Sequence, residues 1–290
     1  MKLIKDKLVM NDDATLVLPK HKQTTFRTKI QIGKDPYIDR KTGITYLGEV
    51  LDEGENQTVL GGSLYTLEKL FNIQSSYDVG FLNEQMGIAT TGPAISEHYA
   101  KNHCVCLFGL GMGGAGESSL STYDVRYQQN TLDSMLPLRF TSDELNERDR
   151  DKYFFKKNIA TDEGDKTAYY LKTFESTPRT HTLWKDAEGD EDGTEVDGDV
   201  SDYDGNLKME TFVEIILKLD KKDLKEYFEY NGMVEQARFN TIGLFTGIPS
   251  TVEDGSTDYK QVMLFSAYNI NNEMLNFAKD LTVLYRIYTH

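Results

Sequence analysis

Residues 109–114 carry the glycine spacing that a dinucleotide-binding loop requires. The segment Gly109-Leu-Gly-Met-Gly-Gly114 follows a predicted strand, which is where such a loop begins. The chemistry also needs a helix that starts at once, because the N-terminal amides of that helix bind the pyrophosphate. The next residues, from Ala115 to Tyr123, are instead typical of a loop. We therefore expect a turn or a close-packing loop at an interface here, and no bound nucleotide.

Two histidines and both cysteines of the chain lie close together in the sequence. They are His98, His103, Cys104 and Cys106. Zinc sites usually draw spaced pairs of ligands from turns. A Cys-x-Cys sequence within an apolar strand has poor geometry for a tetrahedral ion and for a disulfide. We expect two reduced thiols on a core face, in a protein made inside the cell.

The segment 186–206 is strongly acidic and predicts a surface loop. From Asp186 to Asp204 there are ten carboxylates and no basic residue. Such a block repels itself and stays solvated, so we expect a mobile loop between two strands. Asp202-Tyr-Asp-Gly205 resembles the middle of an EF-hand, but Val200 and Thr211 stand at the first and last ligand positions. A looser calcium site is the alternative, with the candidate ligands Asp197, Asp199, Asp202 and Asp204.

The sequence contains no signature of a common hydrolase or nucleotide-using enzyme. Gly-x-Ser-x-Gly, His-Glu-x-x-His and the P-loop are all missing from it. Carboxylates are so numerous that any pair of them fits an acid–base role, so no pair is informative. We predict that the protein is not an enzyme and needs no cofactor. A β-rich carbohydrate-active enzyme stays open as an alternative, because aromatic residues stack on sugars and paired carboxylates hydrolyse glycosidic bonds.

Charge divides the chain into two parts. Residues 1–45 hold eight Lys, two Arg and five Asp, so they carry +5, whereas the whole chain carries −15. Opposite potentials steer the encounter of subunits, so residues 1–45 are predicted to be an extended basic arm that meets carboxylates on an adjacent copy. Two alternatives stay open: the arm lies on the protein's own sheet, or it is a solvated basic tail. Apolar contacts from Leu16 and Leu18 would hold the arm, because surface ion pairs add little affinity. The candidate assembly residues are Lys2, Lys5, Lys7, Lys20, Lys22, Arg27 and Lys29.

The composition of the rest of the chain excludes some partners. A sequence pI near 4.8 argues against nucleic-acid binding by the body, because phosphate recognition needs clustered basic residues. No apolar run approaches the length of a membrane span, so no membrane partner is predicted. The 17 Tyr and 14 Phe suit strands and interfaces between proteins.

The elements that must position these residues are mostly strands. Apolar residues alternate in 212–219, and three further apolar runs (237–244, 261–268 and 281–288) predict strands; the last should lie in the middle of a sheet. Helices are predicted over 63–72, from about 93 to 102, and from Asp220 or Asp223 to Asn231-Gly232. We predict an α+β, mostly β protein. Its body, residues 46–290, should be an antiparallel β-sandwich or barrel-like unit with a few flanking helices, beside the extended N-terminal arm.

Three segments resemble parts of the structural proteins of tailed bacteriophages. They are Gly61-Gly-Ser-Leu-Tyr-Thr-Leu-Glu-Lys-Leu-Phe71, Asn83-Glu-Gln-Met-Gly-Ile-Ala-Thr-Thr-Gly-Pro93 and Asp280-Leu-Thr-Val-Leu-Tyr-Arg-Ile-Tyr288, and together they cover under a fifth of the chain. The resemblance implies a tail, neck or baseplate subunit of a virion, made in the host cytoplasm. Its expected partners are copies of itself, in a homo-oligomer, and other virion proteins.

Overall fold

The protein is mostly β, as the sequence predicts. The computed structural model describes residues 27–55, 57–58, 62, 103–112, 135–186, 194–195, 207–233, 238–251, 257–270 and 280–288. These residues form two antiparallel sheets and two short helices. The predicted fold class is therefore confirmed. Of the two predicted architectures, sandwich and barrel, the described sheets form a β-sandwich.

The strands and helices are numbered in chain order. The helices are α1 (Glu147–Arg150) and α2 (Lys225–Tyr230). The strands are β1 (Arg27–Ile38), β2 (Thr45–Gly54), β3 (Gln57–Thr58), β4 (Cys104–Gly111), β5 (Met135–Leu136), β6 (Arg139–Thr141), β7 (Tyr153–Thr161), β8 (Gly164–Thr173), β9 (Arg179–Asp186), β10 (Thr194–Glu195), β11 (Leu207–Leu219), β12 (Thr241–Thr251), β13 (Thr257–Asn269) and β14 (Leu281–Tyr288).

Each sheet brings together strands that are distant in the sequence. The first sheet has six strands in the order β10-β9-β11-β14-β1-β2. The second has the order β3-β13-β12-β4-β8-β6, with β5 paired to β4 and β7 paired to β8. The chain passes from the first sheet to the second between β2 and β3, so the two sheets are joined at that edge.

The apolar strands predicted near the C-terminal end form the centre of these sheets. β14 coincides with the predicted strand 281–288 and lies between β11 and β1, where Val283 is opposite both Leu217 and Ile32. The predicted strand 212–219 is the second half of β11, and the predicted strand 261–268 lies inside β13. The predicted strand 237–244 overlaps β12 only at residues 241–244. β12 extends seven residues beyond the predicted end at residue 244, because its pairing with β13 continues to Thr251.

A shared apolar core holds the two sheets together. Ile32, Leu217 and Val283 of the first sheet belong to the same buried cluster as Phe108 and Leu244 of the second. In β11 and β14 the residues of this cluster recur at every second position, which is the period of a strand with one face on a core. The sequence alternation in β11 therefore reflects its position over the inter-sheet core.

Half of the predicted N-terminal arm lies inside the first sheet. β1 pairs with β14 on one side and with β2 on the other, so residues 27–45 form a strand and a hairpin turn of the protein's own sheet. The backbone of Arg27 belongs to β1, and Lys29 is exposed. The predicted arm residues Lys2, Lys5, Lys7, Lys20 and Lys22 lie outside the described residues.

The predicted helix after β11 is present but short. It is α2, and Gly232 follows it with a φ of 67°, the left-handed conformation that glycine adopts at the end of a helix. The predicted helices 63–72 and 93–102 lie outside the described part of the chain. Among the described residues, no helix is both long and apolar enough to cross a membrane.

Candidate functional site

The glycine-rich segment begins inside a strand and not in a loop. Gly109 and Gly111 belong to β4 and pair with Gly243 and Thr241 of β12. A Cβ atom on Gly109 would lie 2.9 Å from Leu171 Cδ2 and 3.1 Å from the Tyr170 carbonyl oxygen. The expected loop at Gly109 is therefore wrong, since this glycine is needed for the close approach of β4 to β8.

The two cysteines also differ from the expectation of a core-facing pair. Cys104 is exposed and Cys106 is half-buried, because they lie at the end of β4 beyond its pairing with β8, and neither forms a disulfide. No group of three or more potential metal ligands occurs among the described residues. His98 and the calcium candidates Asp197, Asp199, Asp202 and Asp204 lie outside them.

A buried lysine forms the centre of a charge network that the sequence does not predict. The Lys172 side chain on β8 is 4% exposed. Its Nζ donates to Asp223 Oδ2 at 2.8 Å, to Asp220 Oδ2 at 2.9 Å and to the Lys218 carbonyl oxygen at 2.9 Å. An ammonium has three protons, so Lys172 has used all of its hydrogen-bonding capacity.

Asp223 is fully buried and is held by three donors. Tyr153 donates its hydroxyl proton to Asp223 Oδ1 at 2.6 Å, and the Asp220 amide donates to Oδ2 at 2.9 Å, in addition to Lys172. Burial raises the pKa of Asp223, against the lowering effect of Lys172 and Tyr153. Burial, followed by the charge of Asp223, raises the pKa of Tyr153. The tyrosine therefore stays a hydroxyl donor and is not a nucleophile at neutral pH.

A second set of ion pairs surrounds the Tyr153 ring. Arg139 on β6 binds Glu226 at 2.7 Å and Asp149 at 3.1 Å, while Lys222 Nζ binds Asp149 at 2.6 Å. The cationic groups of Lys172, Arg139 and Lys222 lie 5.0, 5.5 and 5.6 Å from the centre of the Tyr153 ring. This network ties the segment between β11 and α2 to the strands β6, β7 and β8, so it joins the two sheets.

The sequence contained a partial signal for this network. Asp220 and Asp223 predict the start of a helix, and α2 does begin just after them. However, Leu224 precedes α2 with a φ of 64° and no side chain caps the helix, which leaves Asp223 directed to Lys172. The sequence has one further signal: Lys172 follows the apolar residues Tyr170 and Leu171 of β8, and a lysine is rarely buried unless it is paired.

The end of the β1–β2 hairpin folds over the outer face of the first sheet. We call residues 35–49 the tucked hairpin. Asp35 has a φ of 53°, and the register shifts between Ile32 and Gly33. Any Cβ on Gly33 would collide with the Glu49 carbonyl oxygen. This bulge and this bend redirect the hairpin, since β1 would otherwise continue straight past β14.

Glu214 on β11 holds the tucked hairpin in place. Its carboxylate accepts hydrogen bonds from Thr45 Oγ1 at 2.7 Å and from the Thr45 amide at 3.1 Å. Arg286 on β14 donates to the Thr45 carbonyl oxygen at 2.6 Å and lies between the rings of Tyr46 and Phe212. Glu214 is 4% exposed, so these bonds compensate for the desolvation of a buried carboxylate.

The outward side of the tucked hairpin, together with the next residue of β2, exposes large apolar side chains. Tyr37 is 55% exposed, Ile38 57% and Val50 46%. Tyr37 stacks on Tyr46 with ring centroids 5.8 Å apart, which leaves its outer face in solvent. Exposed apolar groups on one hairpin at the edge of a sheet are typical of a contact surface between proteins.

One groove borders the tucked hairpin. It has a volume of about 430 Å³, and its charged lining consists of Lys34, Asp35, Glu175, Lys218 and Asp280. Its lining carries charges of both signs, so it specifies no class of ligand.

Comparisons with known proteins gave no match to the chain, whether with family models, curated proteins or solved structures.

Proposed function

We propose that this chain is a structural subunit of a virus particle, in the tail, neck or baseplate of a tailed bacteriophage. It acts by assembly, with copies of itself and with other virion proteins as partners, and not by catalysis. It is made in the host cytoplasm and resides in the virion. The observation that carries this proposal is the tucked hairpin, which presents Tyr37 and Ile38 to solvent beside the edge strand β2.

The way in which buried charge is used supports an assembly role. Lys172 is saturated by three acceptors, and Tyr153 donates to a buried carboxylate. These groups hold the two sheets in one fixed arrangement. A subunit needs such a fixed shape in order to fit against its neighbours. The resemblance of three segments to tailed-phage structural proteins supports the same function; of these segments, residues 280–288 supply the central strand β14.

Sedimentation velocity on the full chain tests the proposal. We expect a defined oligomer at about 0.05 M salt and weaker association at about 0.5 M, because the charge attraction is screened. Replacing the exposed pair with Y37S and I38S should weaken the association. M233S is the matched control, since Met233 is 40% exposed but lies after α2. A monomer at every salt concentration, alone and with the products of neighbouring genes, would contradict the proposal.

A further inference from the structure

The outer edge of β2 has no pairing partner among the described strands. β2 is the last strand of the first sheet and pairs on one side only, with β1. Its middle is exposed at Gly48, Glu49 and Val50. Beyond Thr45, whose amide and carbonyl groups bind Glu214 and Arg286, such an edge presents amide and carbonyl groups to which another extended segment can add.

The charge on β2 selects which segment can add. Glu49, Asp52 and Glu53 lie on β2, and the strand has no basic residue. Glu49 and Glu53 are exposed. Glu49 forms an ion pair with Lys34, and Glu53 accepts a hydrogen bond from Gln31; both partners lie on β1. Two β2 edges would bring like charges together, which disfavours their pairing. The complementary strand must therefore be basic.

The segment that precedes β1 has this chemistry. Residues 1–26 contain five Lys and three Asp, and the stretch Lys2-Leu-Ile-Lys-Asp-Lys-Leu-Val-Met10 mixes lysines with β-prone apolar residues. From Arg27 at the start of β1, 26 residues in an extended conformation span at most about 94 Å. That reach is long enough to extend beyond one subunit.

We propose that the outer edge of β2 receives residues 2–10 of a second copy as an added strand. Main-chain hydrogen bonds would give affinity, lysines on Glu49 and Glu53 would set the partner, and the exposed Val50 side chain would be covered by an apolar residue of the incoming segment. This inference rests on the proposed function, since it identifies one contact through which the subunits assemble. Both sides of the contact come from one sequence, so copies of this chain are sufficient to form it.

Charge reversal in the full chain tests the contact. The variant E49K/E53K should weaken self-association at least about tenfold by sedimentation, because like charges then face each other. Adding K5E/K7E to the same chain should restore most of the association. The control E144K/D162K makes the same change of net charge at exposed positions of the second-sheet side, before α1 and between β7 and β8, and should leave the oligomer unchanged.

Cross-linking identifies which copy supplies the strand. Isotope-labelled V50C chains are mixed with unlabelled I4C chains, oxidised, and digested for mass spectrometry. A labelled–unlabelled disulfide is the expected product. A disulfide within one chain of the double variant I4C/V50C, with none between chains, would overturn the proposal in favour of an arm on its own edge.

The outcomes separate this inference from the proposed function. If the wild type is an oligomer that E49K/E53K does not weaken, the β2 contact is wrong and the assembly role stands. If E49K/E53K weakens the oligomer but K5E/K7E does not restore it, residues 2–10 are not the occupant. If the wild type is a monomer in every mixture, the proposed function fails, and this inference fails with it.

Discussion

Lys172 is the residue on which the buried charge network depends. The variant K172M keeps the length of the side chain but removes the donor for Asp220 and Asp223. Because it leaves the fully buried Asp223 without its cation, the free energy of unfolding should fall by about 3–5 kcal/mol. Urea unfolding followed by circular dichroism measures this change.

Two further variants show whether the loss comes from the buried pair. K225M removes an exposed lysine that binds Glu229 at 3.3 Å, and it should cost at most about 1 kcal/mol. The double variant K172M/D223N should recover part of the lost stability, since no unpaired buried charge remains. Equal effects of K172M and K225M would show that the network contributes little.

Asp149 gives the network a dependence on pH. Burial raises the pKa of its carboxyl, but Lys222 and Arg139 outweigh that effect and hold the pKa below the ordinary value of 3.8. A carboxyl with a lowered folded pKa stabilises the protein above its unfolded pKa, and this stability is lost as the pH falls through the folded value. The wild type should therefore lose stability from about pH 4 downward.

The variant D149N separates this contribution from those of the other carboxylates. It should be less stable than the wild type at pH 7, and the difference should shrink as the pH falls below about 4. D143N, at an exposed position before α1, should follow the wild-type curve. A D149N deficit that stays constant down to about pH 2 would contradict the assignment.

At the scale of elements, Glu214 determines whether the hairpin stays tucked. The variant E214A removes the acceptor for the Thr45 amide and hydroxyl, and leaves these buried groups unsatisfied. Loss of such a partner costs about 1–3 kcal/mol, so the Thr45 amide should exchange its hydrogen about tenfold faster or more. Hydrogen exchange of residues 35–49, measured by NMR or mass spectrometry, tests this.

The control for this prediction lies in the second sheet. E163A removes an exposed carboxylate in the turn between β7 and β8, which binds Lys166 at 2.9 Å. It should leave the exchange of residues 35–49 unchanged. If E214A also leaves it unchanged, Arg286 and the apolar contacts hold the hairpin without the carboxylate.

Sequence periodicity was sufficient for some elements and not for others. β11 was predictable because one face lies on the inter-sheet core, so burial imposes a period of two on its sequence. β14 was predictable as a continuous apolar run, because its first five residues are all buried. The tucked hairpin was not predictable, because it depends on a bend at Asp35 and on a contact between Thr45 and Glu214, 169 residues apart. Lys172 was missed for the same reason: its acceptors belong to a segment 46 to 51 residues away.

At the scale of the whole molecule, two explanations of the N-terminal lysines predict different kinetics. The chain carries a net charge of −15, and neutralising any five lysines makes the net charge −20. If only net charge matters, every such variant associates more slowly by the same factor, because equal bodies repel equally. If the N-terminal lysines guide one subunit onto another, their position matters as well.

Two variants with the same net charge separate these explanations. One neutralises the N-terminal lysines, with the changes K2Q, K5Q, K7Q, K20Q and K22Q. The other neutralises exposed lysines of the body, with the changes K156Q, K157Q, K221Q, K225Q and K260Q. We expect the association rate constant of the N-terminal variant to fall at least about tenfold at low salt and that of the body variant to fall much less, since steering depends on where charge lies.

The dissociation rate constant completes the test. Charges at a contact rim change mainly the association rate, whereas apolar and main-chain contacts set the dissociation rate. Light scattering after dilution should therefore give similar dissociation rates for both variants and the wild type. Equal association rates for the two variants would show that the basic N-terminal segment acts only through net charge, and would remove the electrostatic basis for placing it on the acidic edge of β2.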